Sequence, residues 1–359
     1  MTRKKIWGRL CRDLHAYAFP LMLTAVVTIL TMTTMPAAGQ ELASQTPWGT
    51  PDLSGIWDYR TLTPLERPAD LQGKDVFSDE EAAQFQQQAL DGGSADRRDG
   101  GSRSDIERAY NEFWYDRGDS LTADKRTSLI TDPPDGRIPA LTPATEQQQT
   151  VRPGMGATAS ADWPRPVRER VVFGSPAHGP EDVGLSERCI LGFGSGPPIL
   201  PSAYNNNLQI FQTPDYVVVF TELIHDARIV PLDGRPHLPQ NIRQWLGNSR
   251  GYWDGDTLVV ETTNFTDKTG SFNTVVQAIG TGETLHLIER FRLVEPSRLL
   301  YEFTIDDPTT FTRSFSASIP MKKSEGPLYE YACHEGNYGM EGLLAGARTV
   351  ERKSKNGSR

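Results

Sequence analysis

Residues 284–306, "TLHLIERFRLVEPSRLLYEFTID", decide the fold. In the first run Leu285, Leu287, Glu289, Phe291 and Leu293 alternate onto one face. His286, Ile288, Arg290 and Arg292 take the other, as a period of two requires of a β-strand. "EPSR" then supplies a short turn, and "RLLYEFTID" reads as a second β run. Two such runs with so short a link predict an antiparallel hairpin.

The same grammar extends both ways. "NLQIFQT", "YVVVFTELI", "ARIVPL", "RGYWD", "DTLVVETTNF", "TRSFSASIP" and "LYEYACH" are further β runs between residues 205 and 333. Turn signals separate them: Pro214-Asp215, Asp233-Gly234 and Asp254-Gly255. No long helix interrupts the series, so neighbours are expected to pair antiparallel, and closure removes exposed edges. The expected architecture is mainly β, a lipocalin-like antiparallel meander barrel, with a two-sheet β-sandwich as the alternative.

Four regions follow from composition. Residues 1–39 read as a signal peptide: a basic start (Arg3, Lys4, Lys5, Arg9, Arg12), an apolar run from Phe19 to Leu30, and small residues at Ala37 and Gly39. Residues 40–200 are rich in Pro and Gly and form a helical and irregular wrap. Within it "PDLSGIWDYR" reads as a first strand. "FSDEEAAQFQQQAL" reads as a helix opened by a Ser78/Glu81 capping box, and "SDIERAYNEFWYDRG" as a helix with Ile106, Tyr110, Phe113 and Trp114 on one face. Residues 201–348 form the β domain with a short C-terminal helix, and 349–359 a charged tail. Cleavage is expected to leave the mature chain periplasmic or secreted, off the membrane; an uncleaved membrane anchor is the alternative reading, disfavoured because the apolar run is shorter than a span needs.

The formal net charge is −9. The signal peptide carries five basic residues and one acid, so its loss moves the charge by four, to −13. A chain this acidic, without a basic stripe, is not built to hold phosphate backbones, and nucleic acid is excluded as a partner. Cleavage also removes Cys11, leaving Cys189 and Cys333. In an oxidising compartment two cysteines most often form one disulfide; a free thiol or a metal ligand are the alternatives.

Glu289 and, in "YVVVFTELI", Glu222 stand in otherwise apolar rows. A buried carboxylate needs a partner, and Arg228, Arg290 or Arg313 could supply one. The same carboxylate in a ligand cavity could work as an acid or base. The mature histidines are His178, His225, His237, His286 and His334. "IHDARIVPLDGRPHLP" gathers His225, Asp226, Arg228, Asp233, Arg235 and His237 around one turn. None of the spacings is a metal signature, so no metal is assigned, and no G-x-S-x-G marks a nucleophilic serine. In "FTIDDPTTFTR" the carboxylates of Asp306 and Asp307 can cap a turn.

The chain resembles a large group of secreted bacterial proteins. The shared segments read here "SERCILGFGSGPPILPSAYNNNLQIFQTPDYVV", "HDARIVPLDGRPH", "SRGYWDGDTLVVETTNFTDKT", "YEFTIDDPTTFTR" and "YACHEGNYGMEGLLAGAR". The likeness covers nearly the whole mature chain. It implies one integrated unit with both cysteines in the shared pattern, which suits a bridge, and it implies no catalytic residues.

Three functions are expected. The first is a cofactor-free enzyme, a lyase, isomerase or hydrolase, acting on a small organic molecule by acid–base chemistry inside the barrel. His225, His286, Glu289 and His334 are its candidate catalytic residues, with Arg228, Arg235, His237, Arg290 and Glu222 binding substrate. The second is a non-catalytic small-molecule carrier. The third is a structural envelope component in which the polar residues only brace the fold.

Overall fold

Buried and exposed residues alternate along the long strands, and that alternation builds the sheet. The computed structural model describes residues 45–98, 111–151, 179–180, 184–192, 194–273 and 278–357. The described residues gather into one compact unit. The expected signal peptide, Cys11, His178, Ile106 and Tyr110 lie outside the described residues.

The strands are β1 (Gly55–Asp58), β2 (Ile130–Asp132), β3 (Asn207–Gln212), β4 (Tyr216–Thr221), β5 (Ala227–Pro231) and β6 (Asn248–Asp254). They continue with β7 (Thr257–Thr263), β8 (Phe272–Asn273), β9 (Ala278–Ile279), β10 (His286–Glu295), β11 (Arg298–Asp306) and β12 (Phe315–Ser324). The hairpin read from residues 284–306 is β10–β11, in register from His286 opposite Asp306 to Leu293 opposite Leu299, with a shift before Glu295 meets Arg298 at the turn. Ten strands form one antiparallel sheet in the order β5-β4-β3-β1-β12-β11-β10-β7-β6, with β2 added beside β12; β8 and β9 pair separately.

Two features depart from a closed meander. β1 is inserted between β3 and β12, so a strand from the N-terminal region completes the sheet. Trp57 of β1 is fully buried and donates its indole N–H to the Leu53 carbonyl at 2.9 Å. The ladder is also open: among the described residues no backbone pairing joins β5 to β6. The sheet is nevertheless rolled, because side chains of β5 and β10, six places apart in that order, meet across its inner face. The two edges approach as well. A Cβ on Gly251 of β6 would stand 2.7 Å from Val230 and 2.8 Å from Leu232, so this edge accepts only a bare backbone.

The inner face is filled by Trp57, Phe272, Phe291, Tyr301, Phe303, Phe311 and Phe315, all fully buried. One end is plugged by the "GSGPPIL" segment, whose Ile199 and Leu200 join the core. Trp253 packs against that core beside its hairpin turn, as expected.

Helix α1 (Asp79–Gly93) carries the expected capping box: Ser78 Oγ accepts from Glu81 N–H at 3.3 Å, and Glu81 accepts from Ser78 N–H at 2.8 Å. It rests Ala82 and Phe85 on a satellite cluster with Phe77 and Leu121. A second helix, α2 (Pro143–Val151), was not anticipated in the Pro-rich stretch. Its start signal is Thr142-Pro143, a hydroxyl cap followed by proline at the first helical position.

Three expectations are corrected. Phe113 and Trp114 are 83% and 61% exposed on a 3-10 turn (Glu112–Trp114), so no apolar helix face is buried there. "LYEYACH" is not a strand: Pro327 lacks the donor a ladder needs, and Tyr329 N–H is held by the Glu222 side chain at 3.3 Å instead. The charged tail is not separate, because helix α3 (Tyr338–Gly357) runs through it. Among the described residues no helix is long and apolar enough to cross a membrane.

Cys189 and Cys333 are bonded, with Cα atoms 5.7 Å apart and a sequence separation of 144. Both sulfurs are thereby removed from nucleophilic or metal-binding chemistry. The bond staples the approach to α3 onto the 184–191 turns, where Asn337 Nδ2 also donates to the Glu187 carbonyl at 2.7 Å.

Candidate functional site

Alternation on β10 aims Glu289 at the interior, and β5 and β11 bring its partners. Arg228 lies 8% exposed and Glu289 fully buried. Arg228 Nη2 donates to Glu289 Oε1 at 2.9 Å, and Nη1 donates to Oε2. Tyr301 Oη donates to Oε1 at 2.8 Å and accepts from Ile199 N–H at 3.0 Å. Burial opposes the charge on Arg228, but Glu289 outweighs it and holds the guanidinium pKa above its ordinary value. Burial, then the Glu289 charge, pushes the Tyr301 phenol well above its ordinary range, so it stays a neutral donor. Both Glu289 oxygens are engaged and closed off from solvent. This arrangement braces the fold.

At the rim of the brace sits Asp226. Its Oδ2 is buried without a hydrogen-bond partner, and burial raises its carboxyl pKa. Together with Arg228, Thr221, Ser195 and Ile199 it lines a cavity of about 10 Å³, the scale of one water molecule.

The other expected site residues are dispersed. His225 is exposed at the β4–β5 turn, with left-handed backbone (φ 65°) and its ring edge-on to Phe220 at 4.5 Å. His286 lies on the outer face, 3.6 Å from Glu261, both about 37% exposed. His334 is exposed beside the disulfide. His237 Nδ1 is 3.3 Å from Asn248 Oδ1. Arg235 pairs with Asp233 in an exposed turn, and Arg290 stands on the outer face in register with Glu302. Glu222 is buried and accepts from Asn207 Nδ2 at 2.8 Å and from Tyr329 N–H. Among the described residues, Arg228 and Glu289 are the only two of the nine joined side chain to side chain; His225 and Glu222 meet through the backbone alone, His225 N–H donating to the Glu222 carbonyl at 3.3 Å. Among the described residues no three His, Cys, Asp or Glu side chains are grouped to hold a metal ion.

A larger concavity lies on the outside. A groove of about 420 Å³ runs between the end of β1, helix α1, the 112–120 segment and Lys322 of β12. Arg60 is saturated within it: Nη2 binds Asp58 Oδ2 at 2.7 Å, Nε binds Asp58 at 2.9 Å, and Nη1 binds Asp116. The Asp58 hydrogen bond leads the causes that raise the Arg60 pKa. Arg117 lays its guanidinium 3.8 Å from the Tyr115 ring centroid and donates to the Gly93 carbonyl. Glu112 accepts from Ala95 N–H at 2.7 Å. Gly118 (φ +88°) lets the segment close onto β1, since a Cβ there would meet the Arg60 backbone at 3.2 Å. Asp119 and Lys322 line the groove, and neither side chain makes a hydrogen bond or ion pair with the described residues.

Tyr301 and the groove were missed by sequence reasoning. The inward row of β11, Leu299-Tyr301-Phe303-Ile305, carries the signal for Tyr301. No comparable signal marks the groove, which joins residues far apart in the chain. No protein-family model and no curated protein matches the chain.

Proposed function

We propose that the protein is a secreted, non-catalytic binding module that holds a small polar molecule in the outer groove. One contrast carries this reading. The interior, where a lipocalin-like carrier keeps its ligand, is packed with aromatic rings and the Arg228–Glu289–Tyr301 brace, and the cavity beside Asp226 and Arg228 holds only about 10 Å³. The groove offers about 420 Å³, within the range of small-molecule sites, and still has free charges. The fold is barrel-like in its rolled sheet, used as a packed scaffold. Export to an oxidising compartment is supported by the Cys189–Cys333 bond and by the character of residues 1–39.

A second reading keeps acid–base catalysis, with Asp226 as the proton carrier. Its unpartnered buried oxygen and raised pKa are the features such a role uses. The small cavity counts against it, since a substrate would have to displace the 195–199 plug.

The test is saturation-transfer NMR of the folded protein against a library of polar metabolites, repeated on Ala89→Trp, which fills the groove from α1. Binding that Ala89→Trp abolishes supports the module. Binding that Ala89→Trp leaves unchanged, or a library without hits, overturns it. Chemical conversion of a hit, lost in Asp226→Asn, would establish the second reading.

A further inference from the structure

The groove's own charges identify the chemistry it accepts. Its cationic centre closest to β1, Arg60, is spent on Asp58 and Asp116. Arg117 is spent on an aromatic face and a carbonyl, and Glu112 on a backbone N–H. Among the described residues of its lining, what remains is one ammonium, Lys322, and one carboxylate, Asp119, whose side chains have no hydrogen-bond or ion-pair partner. Lys322 stands in register with Asp58 on the neighbouring strand, so its position is fixed by the sheet. That aspartate already holds Arg60 and does not take Lys322 as an ion pair.

A ligand with a single sign of charge would satisfy one of these groups and be repelled by the other. A ligand carrying both an anionic and a cationic end satisfies both. Leu62, Ala89, Leu90 and Tyr115 line the same space and offer apolar contact to whatever joins the two ends. The volume exceeds what a single amino acid fills and suits a molecule of a few residues. We propose that the groove takes a short zwitterionic peptide, with its carboxylate toward Lys322 and its ammonium toward Asp119. This assignment rests on the groove being the binding site.

The probe is the dipeptide alanyl-leucine, titrated by calorimetry beside its N-acetylated and its C-amidated forms. The free dipeptide should bind, and each blocked form should bind at least about tenfold more weakly, the equivalent of ~1.4 kcal/mol. Lys322→Met should weaken the free dipeptide and leave the amidated form unchanged, and Asp119→Asn should show the converse pattern with the acetylated form. Lys322→Arg should restore binding. Both side chains are exposed, so these variants leave the core untouched. Equal binding of the three peptides, or no peptide binding, overturns the zwitterion assignment. In that case metabolite binding lost in Ala89→Trp would leave the module intact with a different ligand class, whereas no groove binding of any kind would remove both.

Discussion

Glu289 is held in a buried ion pair with Arg228 and a hydrogen bond from Tyr301. Removing one partner of a buried ion pair strands the other, which typically costs about 3–5 kcal/mol. Glu289→Ala should therefore lower unfolding free energy by about that amount in urea titrations. The paired replacement Arg228→Met with Glu289→Leu should recover most of it, because the stranded charge is gone. Tyr301→Phe leaves Arg228 bonded to Glu289 and should cost less, about 1–2 kcal/mol. At Asp226 the sign is opposite to that of a salt-bridged carboxylate. Burial raises its folded pKa, so the folded state holds the proton more tightly than the unfolded chain. The associated stability is present below the unfolded value, about 3.9, and is lost as pH rises through the folded value. Asp226→Asn should stabilise the protein at pH 7, and the gain should shrink as pH falls toward about 4. A pH-independent difference in unfolding midpoints would show that Asp226 is not desolvated.

Among the elements, the least self-sufficient is α3, which buries only Ala347, packed with Met340, Leu343 and Leu344. Its attachment depends on the disulfide just before it and on Asn337. Cys189→Ala with Cys333→Ala should lower stability by about 2–4 kcal/mol and expose α3 to limited proteolysis while the β10–β11 hairpin stays protected. Coincident loss of both would make the bond part of the main core. The turn after β11 depends on side chains instead. Asp307 accepts from Thr309 N–H at 3.1 Å, from Thr309 Oγ1 at 2.7 Å and from Ser271 Oγ. Burial alone would raise its pKa, but the Ser271, Thr310 and Thr309 hydroxyls outweigh burial and hold it low. The capping role expected for the two aspartates therefore falls to Asp307, while Asp306 is exposed.

For the whole molecule, the rolled sheet depends on how closely its two edges come together. Gly251 is where β6 meets Val230 and Leu232 of the opposite edge. Gly251→Leu should cost about 1–3 kcal/mol by overpacking and should raise amide exchange in β5 and β6 before the central strands. Uniform exchange would mean that the edges do not bear on each other. The interior is packed with buried aromatic and aliphatic side chains, and the larger groove lies outside it.

The longer strands, the β10–β11 hairpin, the α1 cap and the inward aim of Glu289 were legible in the sequence, because alternation and capping are local and act over two to four residues; the two- and three-residue strands β2, β8 and β9 are too short to alternate and were not. The Cys189–Cys333 bond was the leading expectation from the reading of residues 1–39 as a signal peptide, with a free thiol or a metal ligand as alternatives. Tertiary structure alone decided that Arg228, rather than Arg290 or Arg313, meets Glu289, that β1 completes the sheet, and that the histidines disperse. It also decided that β1, α1 and β12 enclose a groove. Those outcomes depend on how far the sheet rolls and which distant strands then face each other. Side-chain packing across the whole inner face sets that, and no window of sequence contains it.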